Sequence, residues 1–283
     1  MTKQITVGYD GSPSATAAVR WAADEATLCA APLRIVSCYD IPLTGMTPMG
    51  MGYPEAFAMI ESDTRRRAGD LVASLRETHP GLEVSTVVTS GPASSTLLDD
   101  IGPDDLVVIG SSSHDHASAF WLGTPRRVIR HSPCPVAIIR GAATGATPAR
   151  VIVGVDGSPA SDDALAWAGD EADRHRAELV LVHGWTYPYL AVDSSSLQAR
   201  DLTQVDAACT LDAAVEQATA RFASPVTGCL IEATPATALL QTVRDGDLLV
   251  VGSRGRGAVV SAVFGSTVNI VAEQCAVPMI VVR

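Results

Sequence analysis

The chain has 283 residues, which suggests roughly two domains of about 150 residues each. Hydrophobic residues make up 47% of it, which is enough for well-formed cores and excludes a disordered chain. The formal net charge of −11 argues against nucleic acid or an anionic membrane as a partner. No apolar run is long enough to span a membrane, and the first residues run straight into a predicted strand. We therefore expect a cytoplasmic protein without a signal peptide.

The lysine and cysteine contents exclude further kinds of binding and catalytic site. Lys3 is the only lysine, so neither a P-loop motif nor the strand lysine of a kinase can be present. None of the six cysteines forms a CxxC pair, so we expect reduced thiols in the core. Any bound nucleotide must therefore be held by glycine backbone, hydroxyl groups and arginine.

Short apolar strands alternate with helices along the first half. Ser12 can cap the first helix, and Pro13 suits its first turn. The predicted order is a strand at 5–9, a helix to about 30, a strand at 33–38, a helix at about 55–77, a strand at 83–88, a short helix at 94–100, a strand at 105–109, a helix from 124 to 131 and a strand at 135–140. Irregular loops are expected at 40–54 and 110–123. This alternation predicts an α/β fold with a parallel sheet and helices on both faces.

The second half repeats the first. Residues 151–159 restate residues 5–13, and residues 247–252 restate residues 105–110. A segment rich in Gly, Ala and Thr separates the copies and is typical of a flexible linker. One repeat at a long interval indicates two copies of a domain rather than a solenoid. We predict domains at 1–141 and 150–283.

A glycine-rich loop in the second half carries the strongest functional signal. It joins an apolar strand at 247–251 to the helix that follows, with the spacing Gly-x2-Gly-x9-Gly-Ser formed by Gly252, Gly255, Gly265 and Ser266. Glycines let backbone N–H groups approach phosphate oxygens, and the first N–H groups of a helix have no internal partner. Each glycine taken alone could be an ordinary turn residue without a role in ligand binding. The combined spacing favours an anion site.

This loop resembles the nucleotide loop of the universal stress protein family, in which such glycines and the final hydroxyl hold ATP phosphates. Three further segments, Val153–Pro159, Leu179–His183 and Val277–Arg283, are similar to the family's first, second and last strands. The resemblance covers the whole chain because the pattern occurs twice. It implies two tandem doubly wound parallel five-stranded sheets of the adenine nucleotide alpha hydrolase type, with strand order 3-2-1-4-5. It also implies a pseudo-dimer packed through the last strands at 136–140 and 279–283.

The resemblance further implies a set of cofactor-binding residues. The glycines and hydroxyls would contact the phosphates, and the aspartates would contact the adenosine. The backbone near Cys38 and Gly184 would contact the edge of the adenine ring. In the second half the set is Asp156, Gly184, Gly252, Gly255, Gly265 and Ser266, and in the first half it is Asp10, Cys38, Gly110, Gly123 and Thr124. Each aspartate could instead only fix the turn before a helix, and both roles could hold. Arg254 and Arg256 are spaced to supply countercharge.

Other groups carry weaker signals. His114 and His116 flank an aspartate, but no further ligand cluster is visible, so no metal site is predicted. His183 lies in a buried strand and is expected to be a hydrogen-bonded core residue. The arginines at 65–67 are expected to form a solvated helix face.

These patterns favour a binding module over an enzyme. The first hypothesis is a tandem regulator of the stress response that binds ATP or ADP, with Mg²⁺ as a candidate companion of the ATP and a homodimer of the tandem chain as a candidate assembly. The second is a slow ATPase or nucleotidyl transferase, although the loops hold no general base or paired carboxylates. The third is an interaction module that dimerises without nucleotide.

The two halves differ in the loop itself. Ser113 stands where the first half should have its second glycine, and Asp115 would repel a triphosphate. A serine at a position that needs positive φ costs on the order of 1 kcal/mol. We therefore expect the second half to bind ATP more tightly than the first.

Overall fold

A computed structural model describes residues 2–39, 53–111, 123–140, 147–187, 194–255 and 265–283. The chain divides into two compact units, Met1–Gly145 and Ala146–Arg283. Each unit alternates strands and helices and contains five parallel strands.

The first unit forms a doubly wound sheet. Its strands lie in the order β3-β2-β1-β4-β5, with parallel neighbours throughout, which confirms the predicted order. Its elements are β1 (Ile5–Gly8), α1 (Pro13–Cys29), β2 (Leu33–Tyr39), α2 (Tyr53–Thr78), β3 (Val84–Ser90), α3 (Ala93–Thr96), β4 (Leu106–Ser111), α4 (Thr124–His131) and β5 (Val136–Arg140).

The second unit repeats this topology. Its strands lie in the order β10-β9-β6-β7-β8, again with parallel neighbours. Its elements are β6 (Arg150–Gly154), α5 (Pro159–His175), β7 (Glu178–Trp185), α6 (Ser194–Arg221), β8 (Val226–Glu232), α7 (Pro235–Thr242), β9 (Leu248–Gly252), α8 (Ser266–Gln274) and β10 (Met279–Val282).

Local chemistry explains where the first helix of each unit begins and ends. Ser12 and Ser158 are the N-caps, and each side chain accepts a hydrogen bond from a backbone amide of the first turn. A proline follows each cap, at a position whose backbone N–H would have no acceptor inside the helix, so its absence costs no hydrogen bond. Ala30 and Arg176 end the helices in the left-handed conformation. The helices therefore start at matched points after β1 and β6.

The core of each unit lies around its central strands. Val107 and Val108 of β4 are fully buried, as are all three residues from Val151 to Val153 in β6. Strands covered on both faces read as continuous apolar runs, which is why they could be predicted from sequence. None of the described helices is long and apolar enough to cross a membrane.

Three expectations on individual segments have clear outcomes. The short helix expected at 94–100 spans only Ala93–Thr96, and the chain then turns, with Leu97 buried and Asp100 in the left-handed conformation. None of the six cysteines forms a disulfide, but only Cys134 and Cys275 are buried, so the expectation of core thiols holds for two of them; the others are half-buried, except Cys209, which is exposed. The arginines at 65–67 form a solvated face, as predicted, and pair with Glu61 and Asp63 of the same helix.

Some expectations lie outside what the structure decides. The predicted loop at 40–54 falls almost entirely outside the described residues, as does most of the loop at 110–123. The packing of the two halves through their last strands stays a prediction.

Candidate functional site

The candidate site of the second unit lies where two neighbouring strands end. β6 and β9 run parallel, with Val153 opposite Val250. Asp156 follows shortly after β6, and Gly252 is the last residue of β9. β7 and β8 lie on one side of this pair and β10 on the other, so the winding reverses here. In open α/β sheets a ligand crevice forms at such a point, beyond the carboxyl ends of the strands.

All six second-half residues selected from sequence line one cavity of about 220 Å³ at this point. They are Asp156, Gly184, Gly252, Gly255, Gly265 and Ser266. Arg254 also lines it and is exposed, so a cation stands at the cavity as the loop sequence suggested. Among the described lining residues, Asp156 and Arg254 are the two that carry charge.

The start of α8 directs backbone donors without acceptors inside the helix toward this cavity. Gly265 is the N-cap and provides no side-chain hydrogen bond to the helix. Its own amide donates to the Ser253 carbonyl oxygen at 3.2 Å, which ties the two ends of the glycine-rich loop together. A helix leaves its first N–H groups without internal acceptors, and its dipole favours an anion there. Ser266 and Thr267 add hydroxyl-bearing side chains at this place.

Two of the glycines are required by packing whether or not a ligand is bound. A Cβ added at Gly252 would lie 2.5 Å from the Ala160 carbonyl oxygen in the first turn of α5. A Cβ at Gly184 would lie 2.8 Å from the Pro235 Cα. In both cases the obstacle is backbone, which cannot move aside as a side chain can. These glycines let strand ends lie directly against helix starts.

Gly265 behaves differently. Among the described residues, the atoms nearest to a Cβ added there would be backbone atoms of Arg254, Gly255 and Ser253, at 3.9 to 4.0 Å. Its φ of −62° is one that any residue adopts. A side chain at this position would therefore disturb little of the described protein while occupying space at the cavity. Gly265 is consequently the cleanest position for a test of ligand binding.

Asp156 is fixed by the turn that it begins. Its Oδ1 accepts from the Ser158 amide at 2.9 Å, and its own amide donates to the Ser161 hydroxyl at 3.0 Å. Its Oδ2 lies against Gly255, since a Cβ added to that glycine would be 2.5 Å away. The turn-fixing role that the sequence left open is therefore present. It leaves Oδ2 at the cavity wall, so a second role toward a ligand stays compatible with it.

His183 supports the same region from the neighbouring strand. Its Nδ1 lies 2.6 Å from the Val155 carbonyl oxygen, just after β6. A carbonyl can only accept, so Nδ1 donates its proton here. The prediction of a hydrogen-bonded structural histidine is confirmed. The bond holds the segment that leads into Asp156.

The first unit brings together only part of its predicted set. Cys38, Gly123 and Thr124 line a cavity of about 340 Å³ with Ser94 and Arg127. Gly123 is the N-cap of α4 and, like Gly265, provides no side-chain cap.

The other two predicted residues of the first unit are not among the lining residues of that cavity. Asp10 fixes its turn, because its Oδ1 accepts from the Ser12 amide at 2.9 Å. A Cβ at Gly110 would lie 2.6 Å from the carbonyl carbon and oxygen of Ser14. Both residues thus have structural roles that match those of Asp156 and Gly252. The residues Ser113, His114, Asp115, His116 and Arg256 lie outside the described part of the chain.

Comparison with known proteins identifies the family that has this architecture. The family model described as Universal stress protein family matches residues 1–140 and again residues 148–283. The chain belongs to the universal stress protein family. It is 32% identical to the universal stress protein Rv2005c of Mycobacterium tuberculosis strain H37Rv over 291 residues, which cover 99% of this chain and 96% of that protein. A universal stress protein of Mycolicibacterium smegmatis matches with the same identity and coverage.

Among solved structures, a universal stress protein from Archaeoglobus fulgidus DSM 4304 superposes with a TM-score of 0.68. It covers 99% of this chain and 98% of its own, at 17% identity, which supports the fold alone. The chain is therefore a tandem universal stress protein, with two copies of the family domain in one polypeptide.

The structure adds cavity residues that the motifs of this universal stress protein did not reveal. Pro235 and Leu239 of α7 line the second-half cavity beside Gly184. Leu239 is 2% exposed and lies under Gly154, where a Cβ would come within 3.3 Å of it. The signal available in sequence was the cap Thr234 before a proline, which marks a helix start after β8. These residues give the cavity an apolar wall opposite its glycine-rich edge.

Proposed function

We propose that this protein is a nucleotide-dependent stress regulator whose second unit binds ATP or ADP in the cavity between β6 and β9. One observation carries the proposal: the five residues of the glycine loop and the turn, together with Gly184, which the family resemblance added, all line one cavity. Packing explains Gly184 and Gly252 without a ligand, but it does not explain Gly265, where a Cβ would have room. The cavity also combines an apolar wall with polar groups placed at one edge, which is typical of small-molecule sites.

The parts of the nucleotide have distinct places in this proposal. The phosphates lie at the uncapped start of α8, near Gly265 and Ser266, with Arg254 as countercharge. The adenosine lies toward Asp156 and Gly184, against Pro235 and Leu239. Asp156 Oδ2 lies against Gly255, so its carboxylate would repel a phosphate at that glycine, and Arg254 would have to offset this repulsion. Mg²⁺ would enter with the phosphates rather than occupy a site of its own.

The deciding test is a substitution at Gly265. Gly265→Val should weaken calorimetric ATP affinity at least about tenfold, because its side chain takes the place of a phosphate at the helix start. Gly69→Val is the matched control, since a Cβ at this glycine of α2 meets no atom within 4 Å and lies outside the cavity. If the parent and the Gly265→Val protein are both folded and bind ATP with equal affinity, the proposal is contradicted.

Binding is proposed without efficient hydrolysis. The only lysine is Lys3, which pairs with Asp104 near the chain start, so no lysine stabilises a transferring phosphoryl group. Turnover by the pure protein should stay far below the roughly 1–10³ s⁻¹ of typical enzymes. A steady-state phosphate-release assay measures it. A turnover within that range, lost in Gly265→Val, would favour the ATPase hypothesis instead.

The third hypothesis, an interaction module without nucleotide, is separated by native mass spectrometry. Under the proposal, the purified chain gains the mass of one ATP at low micromolar nucleotide, and Gly265→Val loses it. A chain that dimerises but never gains nucleotide mass would support the interaction module.

A further inference from the structure

The first unit contains a second cavity, between α3 and α4, and Gly123 is its only lining residue from the predicted nucleotide-binding set. It measures about 670 Å³. Four of its eight lining residues are Arg or His, and none is Asp or Glu. The basic residues are Arg126, Arg127, Arg130 and His131, and Ser94 and Ser95 lie across from them. We call this cavity the arginine groove. In a chain of net charge −11, such a concentration of positive charge has to be explained.

The helix arranges these side chains on one side. Arg126 and Arg130 are four residues apart, and so are Arg127 and His131, which places each pair one above the other on α4. The two pairs are one residue apart, so they occupy adjacent stripes of the helix. Four basic groups thus face one side of an eight-residue helix.

The position of two of these arginines is electrostatically unfavourable in the free protein. Arg126 and Arg127 lie in the first turn of α4, at the positive end of the helix dipole. Cations are stabilised at the opposite end, where Arg130 and His131 lie. A bound anion would reverse the sign of this interaction, because it would be attracted by the helix start and by both guanidinium groups.

The second unit has no counterpart. The corresponding helix α8 has the sequence STVNIVAEQ, without a lysine, arginine or histidine. α4 and α8 follow equivalent loops in the two repeats, so the fold alone does not require basic residues here. The arginine groove is a property of the first unit.

We propose that the arginine groove binds a small-molecule polyphosphate. Guanidinium groups match phosphate geometry with paired donors and stay charged at all physiological pH values. Three of them suit a ligand with two or more phosphate groups rather than a single carboxylate. Arg126 and Arg130 already make contacts within the protein, so the ligand would share them. Arg127 and Arg130 are exposed and Arg126 is half-buried.

The proposal is independent of nucleotide binding in the second unit. The arginine groove shares Gly123, Ser94 and Arg127 with the smaller first-half cavity but none of the residues around Asp156. Two ligand sources present the same chemistry: inorganic polyphosphate and the phosphate tail of a nucleoside triphosphate.

Calorimetric titration of the full chain with inorganic tripolyphosphate tests the site. The double substitution Arg126→Gln with Arg127→Gln should weaken tripolyphosphate binding at least about tenfold. Arg65→Gln with Arg66→Gln is the matched control, because it also removes two adjacent arginines from a helix of the same unit but outside the groove. The control should change affinity by less than about twofold.

Three results would overturn the proposal. One is no tripolyphosphate binding by the parent up to millimolar concentration. Another is an equal loss in both double variants, which would indicate bulk charge alone. The third is loss of binding in Gly265→Val, which would place the anion in the second unit. Since ATP binding by that variant is measured separately, failure of the nucleotide proposal and failure of this one are distinguishable.

Competition of ATP and AMP with tripolyphosphate distinguishes the two candidate ligands of the arginine groove. If ATP displaces tripolyphosphate from the Gly265→Val chain and AMP does not, the groove accepts the phosphate tail of a nucleotide. If neither displaces it, the groove selects inorganic polyphosphate.

Discussion

The strand-end regions of the two units share their framework and differ in what lines it. In the second unit six motif residues surround one cavity, with an apolar wall from α7. In the first unit the cavity includes three motif residues and opens beside the arginine groove. The shared parts are turns and close backbone contacts, and the differing parts are side chains of the helices that follow. The comparison shows that repeat-wide motifs mark architecture first and ligand chemistry second.

The glycines at the ends of β4 and β9 illustrate this point. Gly110 lies against Ser14, and Gly252 lies against Ala160, which occupy equivalent positions in the first turns of α1 and α5. The same contact therefore exists in a unit with a complete glycine loop and in a unit without one. A glycine at this position predicts the helix packing and carries little information on nucleotide.

The largest expected difference between the units is in stability rather than binding. In the second unit the Asp247 carboxylate, 4% exposed, accepts from Arg150 Nε at 3.0 Å and Nη2 at 2.5 Å. In the first unit the equivalent Asp105 accepts from the Gly102 amide at 2.7 Å, and Gln4 stands in place of the arginine.

Asp247→Ala should therefore cost about 3 kcal/mol of unfolding free energy, because it leaves a largely buried guanidinium without its carboxylate. Asp105→Ala, which loses one turn hydrogen bond, should cost about 1 kcal/mol. Hydrogen exchange of amides in β6 and β9, against those in β1 and β4, measures each unit separately. Equal losses would mean that the buried ion pair adds nothing to the second unit.

A second, smaller effect should be the same in both units. Gly110→Ala and Gly252→Ala each force a Cβ against helix backbone at 2.6 and 2.5 Å. We expect each to cost about 2 kcal/mol by overpacking. Gly265→Ala should change stability by less than about 1 kcal/mol, since its Cβ has room. Thermal unfolding of the three variants checks the ranking, and a large loss at Gly265 alone would reverse our interpretation of the loop.

Sequence patterns were sufficient for the fold because its signals are local and repeated. The buried strands read as apolar runs, and the caps Ser12 and Ser158 mark the helix starts. The pattern failed at α3, where burial of Leu97 and a left-handed Asp100 end the helix early. Tertiary contacts of this kind leave no periodic trace in the sequence.

The site was predictable only in part for the same reason. The convergence of Asp156 with Gly265 followed from strand-end placement, since both lie near the reversal of winding. The packing role of Gly184 was not predictable, because it depends on contact with Pro235 at the start of α7, 51 residues further along the chain. The arginine groove depends likewise on where α3 lies relative to α4.

The smallest effect in energy is the most informative for function: the difference in ATP affinity between the units. In the second unit Gly265 and Gly255 border the cavity, and an arginine stands beside them. In the first unit the loop sequence has Ser113 for the second glycine and Asp115 nearby. The matched Gly255 does not have a positive φ, so the backbone strain expected for the serine is not supported by the structure. Crowding and charge remain as arguments, because a Cβ at Gly255 would lie 2.5 Å from Asp156 Oδ2 and Asp115 would repel a triphosphate. We expect the second unit to bind ATP at least about tenfold more tightly, which corresponds to about 1.4 kcal/mol. Calorimetric titration after blocking one unit at a time, with Gly123→Val or Gly265→Val, measures each affinity.

The arginine groove adds phosphate affinity to the first unit but no contact to adenosine. The first unit should therefore bind tripolyphosphate about as well as ATP, whereas the second unit should prefer ATP. Equal ATP affinities, or a tighter first unit, would show that the serine and the aspartate do not weaken the loop.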